Sequence, residues 1–153
     1  MKILLVSSSI LPQTGGSSVI VENLARNFNK DNMIVLGSKG LNQNNKFERN
    51  INGPKFNYFF SELSILGRGA RYFDWFRKLR VKELTKHIEK TIKEEKITHV
   101  IGVFPNSYYC LAACRAAKNM KLSFSSYFHN TYTDNIAVTD KNSSDYQNEI
   151  FTH

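Results

Sequence analysis

Short apolar runs that alternate with segments of helical periodicity constrain the fold of this chain more than any other feature. The first run covers residues 3–6 and the second covers residues 33–36. A continuous apolar run of this length is typical of a strand buried on both faces of a parallel sheet. Between the two runs, four apolar residues repeat at the i, i+3, i+4, i+7 spacing of one helix face: Val21, Leu24, Ala25 and Phe28. This order predicts a βαβ unit, whose right-handed crossover makes the two strands parallel.

The rest of the chain continues the same alternation. Gly37 is predicted to end the second strand, and residues 38–54 are predicted to form a long polar loop. Further elements are predicted as strands over residues 55–60, 98–103 and 122–128, a charged helix over residues 71–96 and an alanine-rich helix after Pro105. We therefore predict one α/β domain over residues 1–135, with a Rossmann-like, largely parallel sheet and helices on both faces. Residues 136–153 are polar and are predicted to be a tail or the start of a segment that leads to a second domain.

Charge and cysteine content narrow the class of partner and the compartment. Lys and Arg number 21 and Asp and Glu number 13, so the formal net charge is +8 at pH 7. Such a surplus favours polyanions, meaning nucleic acid, phosphorylated ligands or an anionic membrane surface. Two cysteines are too few for a disulfide framework, which favours a reducing, cytoplasmic compartment. No apolar run is long enough to predict a transmembrane helix.

The loop that follows the first strand contains Gly15 and Gly16. Two successive residues without Cβ atoms let main-chain N–H groups approach a ligand, and the next helix supplies the positive end of its dipole. Ser17 or Ser18 is predicted to cap this helix, with Glu22 in its first turn. These features suit a bound phosphate, and a strand-to-helix turn that needs glycine is the alternative interpretation. Neither the dinucleotide-binding glycine pattern nor a P-loop is present.

Several motifs follow one another in a recognisable order: an apolar start at residues 1–6, Pro12 before Gly15 and Gly16, the spacing of Val21, Leu24 and Ala25, and a fifth strand that closes on Tyr127, Phe128, His129 and Asn130. Over residues 1–135 this order resembles the N-terminal domain of family 4 retaining glycosyltransferases of the GT-B fold. Enzymes of this family have two Rossmann-like domains that face each other across a cleft. The N-terminal domain mainly holds the acceptor, and the C-terminal domain grips the nucleotide-sugar.

The resemblance implies roles for the glycine loop and for one histidine. Gly15 and Gly16, with Ser17 beside them, are expected to approach the diphosphate of the donor. His129 is expected to reach toward the transferred sugar, where an imidazole can stabilise developing charge. No cofactor is expected, because the nucleotide-sugar is a substrate, and catalysis is expected to be metal-independent. The residues alone also fit a His129 that caps its strand or packs against Tyr127.

The second domain of the family carries two glutamates separated by seven residues, together with basic residues that neutralise the diphosphate. No two glutamates of this chain have that separation. We therefore expect this chain to be the acceptor-side half of a hexosyltransferase that acts in bacterial surface polysaccharide biosynthesis. The chain is then a truncated chain, a gene fragment or one of two subunits. Alone it is expected to be inactive and to need a C-terminal domain or partner subunit. A non-catalytic, membrane-docked subunit and a nucleotide-binding Rossmann module are the other two interpretations.

Residues 68–82, called the basic segment below, combine cations with aromatic side chains. The cations are Arg68, Arg71, Arg77, Lys78, Arg80 and Lys82, with Asp74 as the one acid. The aromatic residues between them are Tyr72, Phe73, Trp75 and Phe76. This combination is typical of a helix at a membrane interface, where rings enter the headgroup region and cations meet anionic lipid near the acceptor. It predicts a cytoplasmic protein attached peripherally to the inner face of the plasma membrane.

Two alternatives compete for the basic segment. In one, its aromatic residues form the core face of a long helix and its cations form the solvated face. In the other, the segment binds nucleic acid, but no nucleic-acid motif accompanies it and this partner is not expected. Among the remaining titratable residues, Cys110 and Cys114 are predicted to be small and buried, since no further metal ligand lies near them in sequence. His87 is predicted to be solvated, and His99 to be structural.

Overall fold

The computed structural model describes residues 1–8, 10, 16–39, 53–61, 69, 73–104 and 107–128. Within these ranges the chain forms five strands: β1 Ile3–Ser7, β2 Met33–Lys39, β3 Lys55–Ser61, β4 His99–Phe104 and β5 Ser123–Phe128. The same ranges contain three helices: α1 Gly16–Ala25, α2 Asp74–Glu95 and α3 Ser107–Asn119. The two apolar runs near the start of the sequence lie in β1 and β2, as predicted.

The five strands form one sheet with the order β3-β2-β1-β4-β5. Every neighbouring pair in this order is parallel. β1 lies at the centre, where Leu5 is in register with Val35 of β2 on one side and with Ile101 of β4 on the other. Such a central strand is covered on both faces, which explains why its sequence is apolar without alternation.

Side chains of the strands pack into two cores, one on each face of the sheet. The first core lies under α2 and α3 and includes Leu4, Val6, Ile34, Leu84, Ile88, Ile92, Ala112, Ala113, Ala116 and Ala117. The second lies under α1 and includes Ile3, Leu5, Met33, Val35, Val21 and Ala25. The small side chains of α3 let this helix contact both α2 and β4. Helices therefore cover both faces, and the predicted Rossmann-like α/β fold is confirmed.

β2 is longer than the sequence indicates. It continues to Lys39 through Gly37, which we predicted to end it. Gly37 is required for another reason, because a Cβ atom there would lie 2.3 Å from Cδ1 of Ile10. The pairing of β2 with β3 also shifts register between Gly37 and Ser38. The glycine therefore makes room for the segment that follows β1 and does not end the strand.

The starts of α1 and α2 differ from the prediction. α1 begins at Gly16, so Ser17 and Ser18 lie inside its first turn and do not cap it. Glu22 consequently lies in the second turn of α1, where the helix dipole acts on it less strongly. α2 begins at Asp74, three residues later than predicted.

Candidate functional site

β1 and β4 lie side by side, but the helices that follow them lie on opposite faces of the sheet. α1 follows β1 and packs into one core through Val21, whereas α3 follows β4 and packs into the other through Ala113. At such a point a parallel sheet opens a crevice at the carboxyl ends of the two strands, where α/β proteins bind their ligands. In this chain the crevice lies beyond Ser7 of β1 and Phe104 of β4.

Two helices begin at the edge of the sheet that carries the crevice. A helix that returns the chain to the start of the next parallel strand begins at the carboxyl ends, which places Gly16 of α1 and Ser107 of α3 at this edge. The first turn of each helix has main-chain N–H groups without intrahelical acceptors, together with the positive end of the dipole. These groups suit an anion such as phosphate, which is the chemistry predicted for Gly16 and for the main chain of Ser17.

Ser8 and Ile10, which follow β1, pack against the end of β2. The Ser38 hydroxyl donates a hydrogen bond to the main-chain oxygen of Ser8 at 2.7 Å, and Ile10 covers Gly37. Ser8, Ile10 and Ser38 are all buried. A dinucleotide-binding domain carries a ribose-binding acid at the end of this strand. Here the end of β2 carries Ser38, whose hydroxyl bonds to the main chain of Ser8. The sequence offered no signal for this packing beyond the presence of Gly37.

Two predicted site residues, Gly15 and His129, lie outside the described residues. Phe128, the residue before His129, is the last described residue of the chain. β5 ends at Phe128, which is in register with Phe104 of β4, so the chain leaves β5 at the edge of the sheet where α1 begins. The ends of β1, β4 and β5 are thus brought to one edge of the sheet, in the order β1-β4-β5.

The aromatic part of the basic segment lies at the surface of α2. Phe73 is 56% exposed and Trp75 is 58% exposed, while Phe76 is half-buried and contacts Trp75 at a ring-centroid distance of 4.2 Å. The alternative in which the aromatic residues form the core face of a long helix is therefore wrong for Phe73 and Trp75. Tyr72, Arg68 and Arg71 lie outside the described residues.

Arg80 departs from the predicted surface. Its side chain is 1% exposed and its Nη1 donates to Glu83 Oε2 at 3.2 Å, whereas Arg77, Lys78 and Lys82 are exposed. The helical period explains the difference, because Arg80 lies one turn before Leu84, on the side of α2 that faces the core. The prediction that Arg80 belongs to an exposed membrane-binding surface is thus wrong, and its role in acceptor binding stays a prediction. Its spacing from Leu84 was the available signal.

The remaining titratable residues that were considered from sequence are two cysteines and two histidines, and they differ in burial and contacts. Cys110 is half-buried and burial raises the pKa of its thiol, but Cys114 is exposed, so the prediction of two buried cysteines is wrong for Cys114. His87 is half-buried rather than solvated, and burial, assisted by the charge of Lys90, lowers its pKa. His99 opens β4, and its Nε2 lies 3.0 Å from the Ser125 hydroxyl oxygen. Across the part of the chain that the structure describes, no three His, Cys, Asp or Glu side chains gather as metal ligands.

Comparison with known proteins returned no match to any protein-family model and none to any curated protein sequence. The described helices include none that is both long enough and apolar enough to cross a membrane. The site is therefore defined by the fold and by the residues at the carboxyl edge of the sheet.

Proposed function

We propose that this chain is the acceptor-side half of a retaining glycosyltransferase of the hexosyltransferase type. The whole enzyme transfers a sugar from a nucleotide-sugar to a glycan or lipid-linked acceptor in bacterial surface polysaccharide biosynthesis. The observation that carries the proposal is the position between β1 and β4 at which the following helices go to opposite faces of the sheet, with the first turn of α1 at that edge. The resemblance of residues 1–135 to the N-terminal domain of such enzymes supplies the reaction class.

In this proposal the first turn of α1 meets the donor diphosphate. When the bond between the sugar and the diphosphate breaks, negative charge grows on the leaving oxygen. The main-chain N–H groups at Gly16 and Ser17 are fixed donors that stabilise this charge without rearranging. His129 donates a hydrogen bond to the sugar from the end of β5. A second domain or partner subunit supplies the remaining diphosphate contacts, so the chain alone binds the donor weakly and transfers little or no sugar.

The donor site is tested by titrating isotope-labelled protein with uridine, guanosine and adenosine diphosphate-sugars while the main-chain amide resonances are followed. The proposal expects the largest shifts at the start of α1 and at the ends of β1 and β4. Gly16→Asp places a carboxylate against the diphosphate and is expected to weaken binding about tenfold. The added acid sits in a first helical turn, where it favours the helix, so folding is retained.

Asn23→Asp is the matched control, because it adds the same charge to an exposed position of α1 outside the first turn. Amide resonance shifts confined to other parts of the chain, or equal weakening of donor binding by both variants, would show that the donor does not bind at this edge. In the complete two-half enzyme, His129→Ala is expected to abolish transfer while the unfolding transition is unchanged. An active His129→Ala enzyme would exclude this residue from the mechanism.

The exposed helix surface near Trp75 favours one second candidate, a non-catalytic, membrane-docked subunit that recruits a separate transferase. The two candidates differ in what lies beside this domain. Co-purification of a separately encoded catalytic protein supports the subunit. A longer reading frame that encodes a second α/β domain with the paired glutamates supports the half enzyme.

A further inference from the structure

We propose that the outward side of α2 between Trp75 and Lys86 docks this domain on an anionic lipid bilayer. The docking face consists of Trp75, Lys78, Leu79, Lys82 and Lys86, which are all exposed. Of the described cations of the basic segment, the docking face keeps Lys78 and Lys82, leaves out Arg77 and Arg80, and adds Lys86. The proposal does not depend on sugar transfer and concerns a different part of the molecule from the crevice.

The apolar members of the docking face are large side chains that are exposed to solvent. Trp75 is 58% exposed and Leu79 is 40% exposed, and the two lie one helical turn apart. Phe73, just before the helix, is 56% exposed and lies 6.0 Å from the Phe76 ring that also contacts Trp75. An exposed cluster of this kind marks an interaction surface more often than an isolated exposed residue does. Tryptophan in particular favours the boundary between headgroups and hydrocarbon, where its ring is apolar and its N–H stays wet.

The described glutamates of α2 have partners away from the docking face. Each glutamate of α2 is engaged elsewhere: Glu83 with Arg80, Glu89 with Asn119, Glu94 with Lys90, and Glu95 with Lys2 and Lys55. Within the described ranges, Lys78, Lys82 and Lys86 form no ion pair. The face therefore presents three ammonium groups that form no ion pair among the described residues, around Trp75 and Leu79.

The spacing of these residues decides between lipid and other polyanions. Positions 75, 79, 82 and 86 follow one another at intervals of three or four residues, and position 78 lies three residues after 75 and four before 82. They therefore share one side of the helix, opposite the buried Leu84 and Ile88. A nucleic acid offers phosphates to the lysines but no apolar layer for the Leu79 side chain. An anionic bilayer offers both, since lysine stems lie along the apolar boundary while the ammonium groups stay at the headgroups.

The test uses the whole chain and its single tryptophan, which is Trp75. Vesicles of phosphatidylcholine alone are compared with vesicles that also contain phosphatidylglycerol, by flotation and by tryptophan emission. The proposal expects flotation with the anionic vesicles only, a blue shift of Trp75 emission, and quenching by lipids brominated on their acyl chains. Raised salt is expected to release the protein, since screening weakens the attraction.

Two triple variants that remove the same charge separate the effect of the docking face from the effect of net charge. Lys78→Gln, Lys82→Gln and Lys86→Gln together are expected to weaken vesicle binding about 100-fold, at about fivefold for each cation. Lys30→Gln, Arg115→Gln and Lys118→Gln together remove the same charge from exposed positions elsewhere and are expected to have a much smaller effect. Leu79→Gln is likewise expected to reduce the blue shift, whereas Leu111→Gln, at a leucine that is 44% exposed on α3, leaves it unchanged.

Equal recovery on neutral and anionic vesicles, or equal weakening by the two lysine triples, would overturn the proposal. A blue shift that grows with protein concentration in the absence of vesicles would do so as well, because it assigns the face to self-association. Binding to a mixed-sequence DNA duplex that the docking-face triple abolishes, without vesicle binding, would assign the face to nucleic acid instead. None of these outcomes bears on the donor titration.

Discussion

The hydroxyl of Ser38, near the end of β2, donates a hydrogen bond of 2.7 Å to the main-chain oxygen of Ser8, just beyond β1. Both residues are buried, and they connect neighbouring strands at the edge of the sheet that carries the candidate site. This bond fixes Ser8, the residue that follows β1 at that edge.

Ser38→Ala is expected to lower the free energy of unfolding by about 1–2 kcal/mol, because the Ser8 oxygen loses a donor in a buried place. Urea denaturation monitored by circular dichroism measures the change. Ser123→Ala, at an exposed serine that opens β5, is the control and is expected to change stability by less than about 0.5 kcal/mol. Equal effects of the two substitutions would contradict a structural role for the Ser38 hydroxyl.

Gly37→Ala is expected to destabilise the protein by about 1–3 kcal/mol, since its Cβ atom overpacks a filled site. That atom would lie 2.3 Å from Cδ1 and 2.6 Å from Cγ1 of Ile10, whose side chain is fully buried. Ile10→Ala removes both of these atoms. The cost of Gly37→Ala should therefore be much smaller in the Ile10→Ala background, and a double-mutant cycle of unfolding free energies measures this coupling. An undiminished cost would show that the clash does not involve Ile10.

Glu95 joins the end of α2 to the starts of two strands and makes stability depend on pH. Lys2 Nζ donates to its Oε2 at 2.8 Å and Lys55 Nζ donates to its Oε1 at 2.7 Å. The hydrogen bond from Lys2, followed by that from Lys55, lowers the pKa of the Glu95 carboxyl in the folded protein. A lowered folded-state pKa stabilises the protein above the pKa of the unfolded carboxyl, and this stabilisation is lost as the pH falls through the folded-state pKa.

Glu95→Gln is accordingly expected to reduce the free energy of unfolding by about 0.5–1 kcal/mol at neutral pH. The difference from the natural chain should shrink as the pH falls below about 4, where the carboxyl of the natural chain also becomes neutral. Chemical denaturation at a series of pH values measures it. Glu94→Gln is the control, because the ion pair that Glu94 forms with the exposed Lys90 is longer, at 3.7 Å. A Glu95→Gln difference that stays constant with pH would contradict the ion-pair account.

Continuous apolar runs and regular helical spacing made most of the fold predictable. Residues 3–6 and 33–36 are apolar at every position because β1 and β2 are covered on both faces, and this pattern is local in the sequence. Leu84, Ile88 and Ile92 recur every fourth residue because one side of α2 faces the core. Such signals depend on the environment of one element at a time, so sequence alone carries them.

Features that depend on two distant segments were not predictable in the same way. Gly37 has the sequence signal of a strand end, and only the position of Ile10 explains the glycine. Arg80 is a different case, because its spacing from Leu84 on the same helix was a local signal of burial that its charge outweighed in the prediction. For the candidate site, the parallel order of the sheet defines the edge at which Gly16 lies, whereas the roles of Gly15 and His129 stay predictions.

The two cysteines are expected to differ in reactivity although they lie one turn apart on α3. Cys114 is exposed, whereas Cys110 is half-buried and burial raises the pKa of its thiol. Cys110 Sγ also lies 3.0 Å from the place where a Cβ on Gly102 of β4 would be, so it is packed against the sheet.

Because the thiolate is the reactive form, iodoacetamide at mildly alkaline pH should label Cys114 first and Cys110 much more slowly. Peptide mass spectrometry over time distinguishes the two sites. Cys114→Ser should leave only the slow phase and Cys110→Ser only the fast phase, and both phases should become fast in denaturant. Equal labelling rates in the folded protein would contradict the packing of α3 against β4.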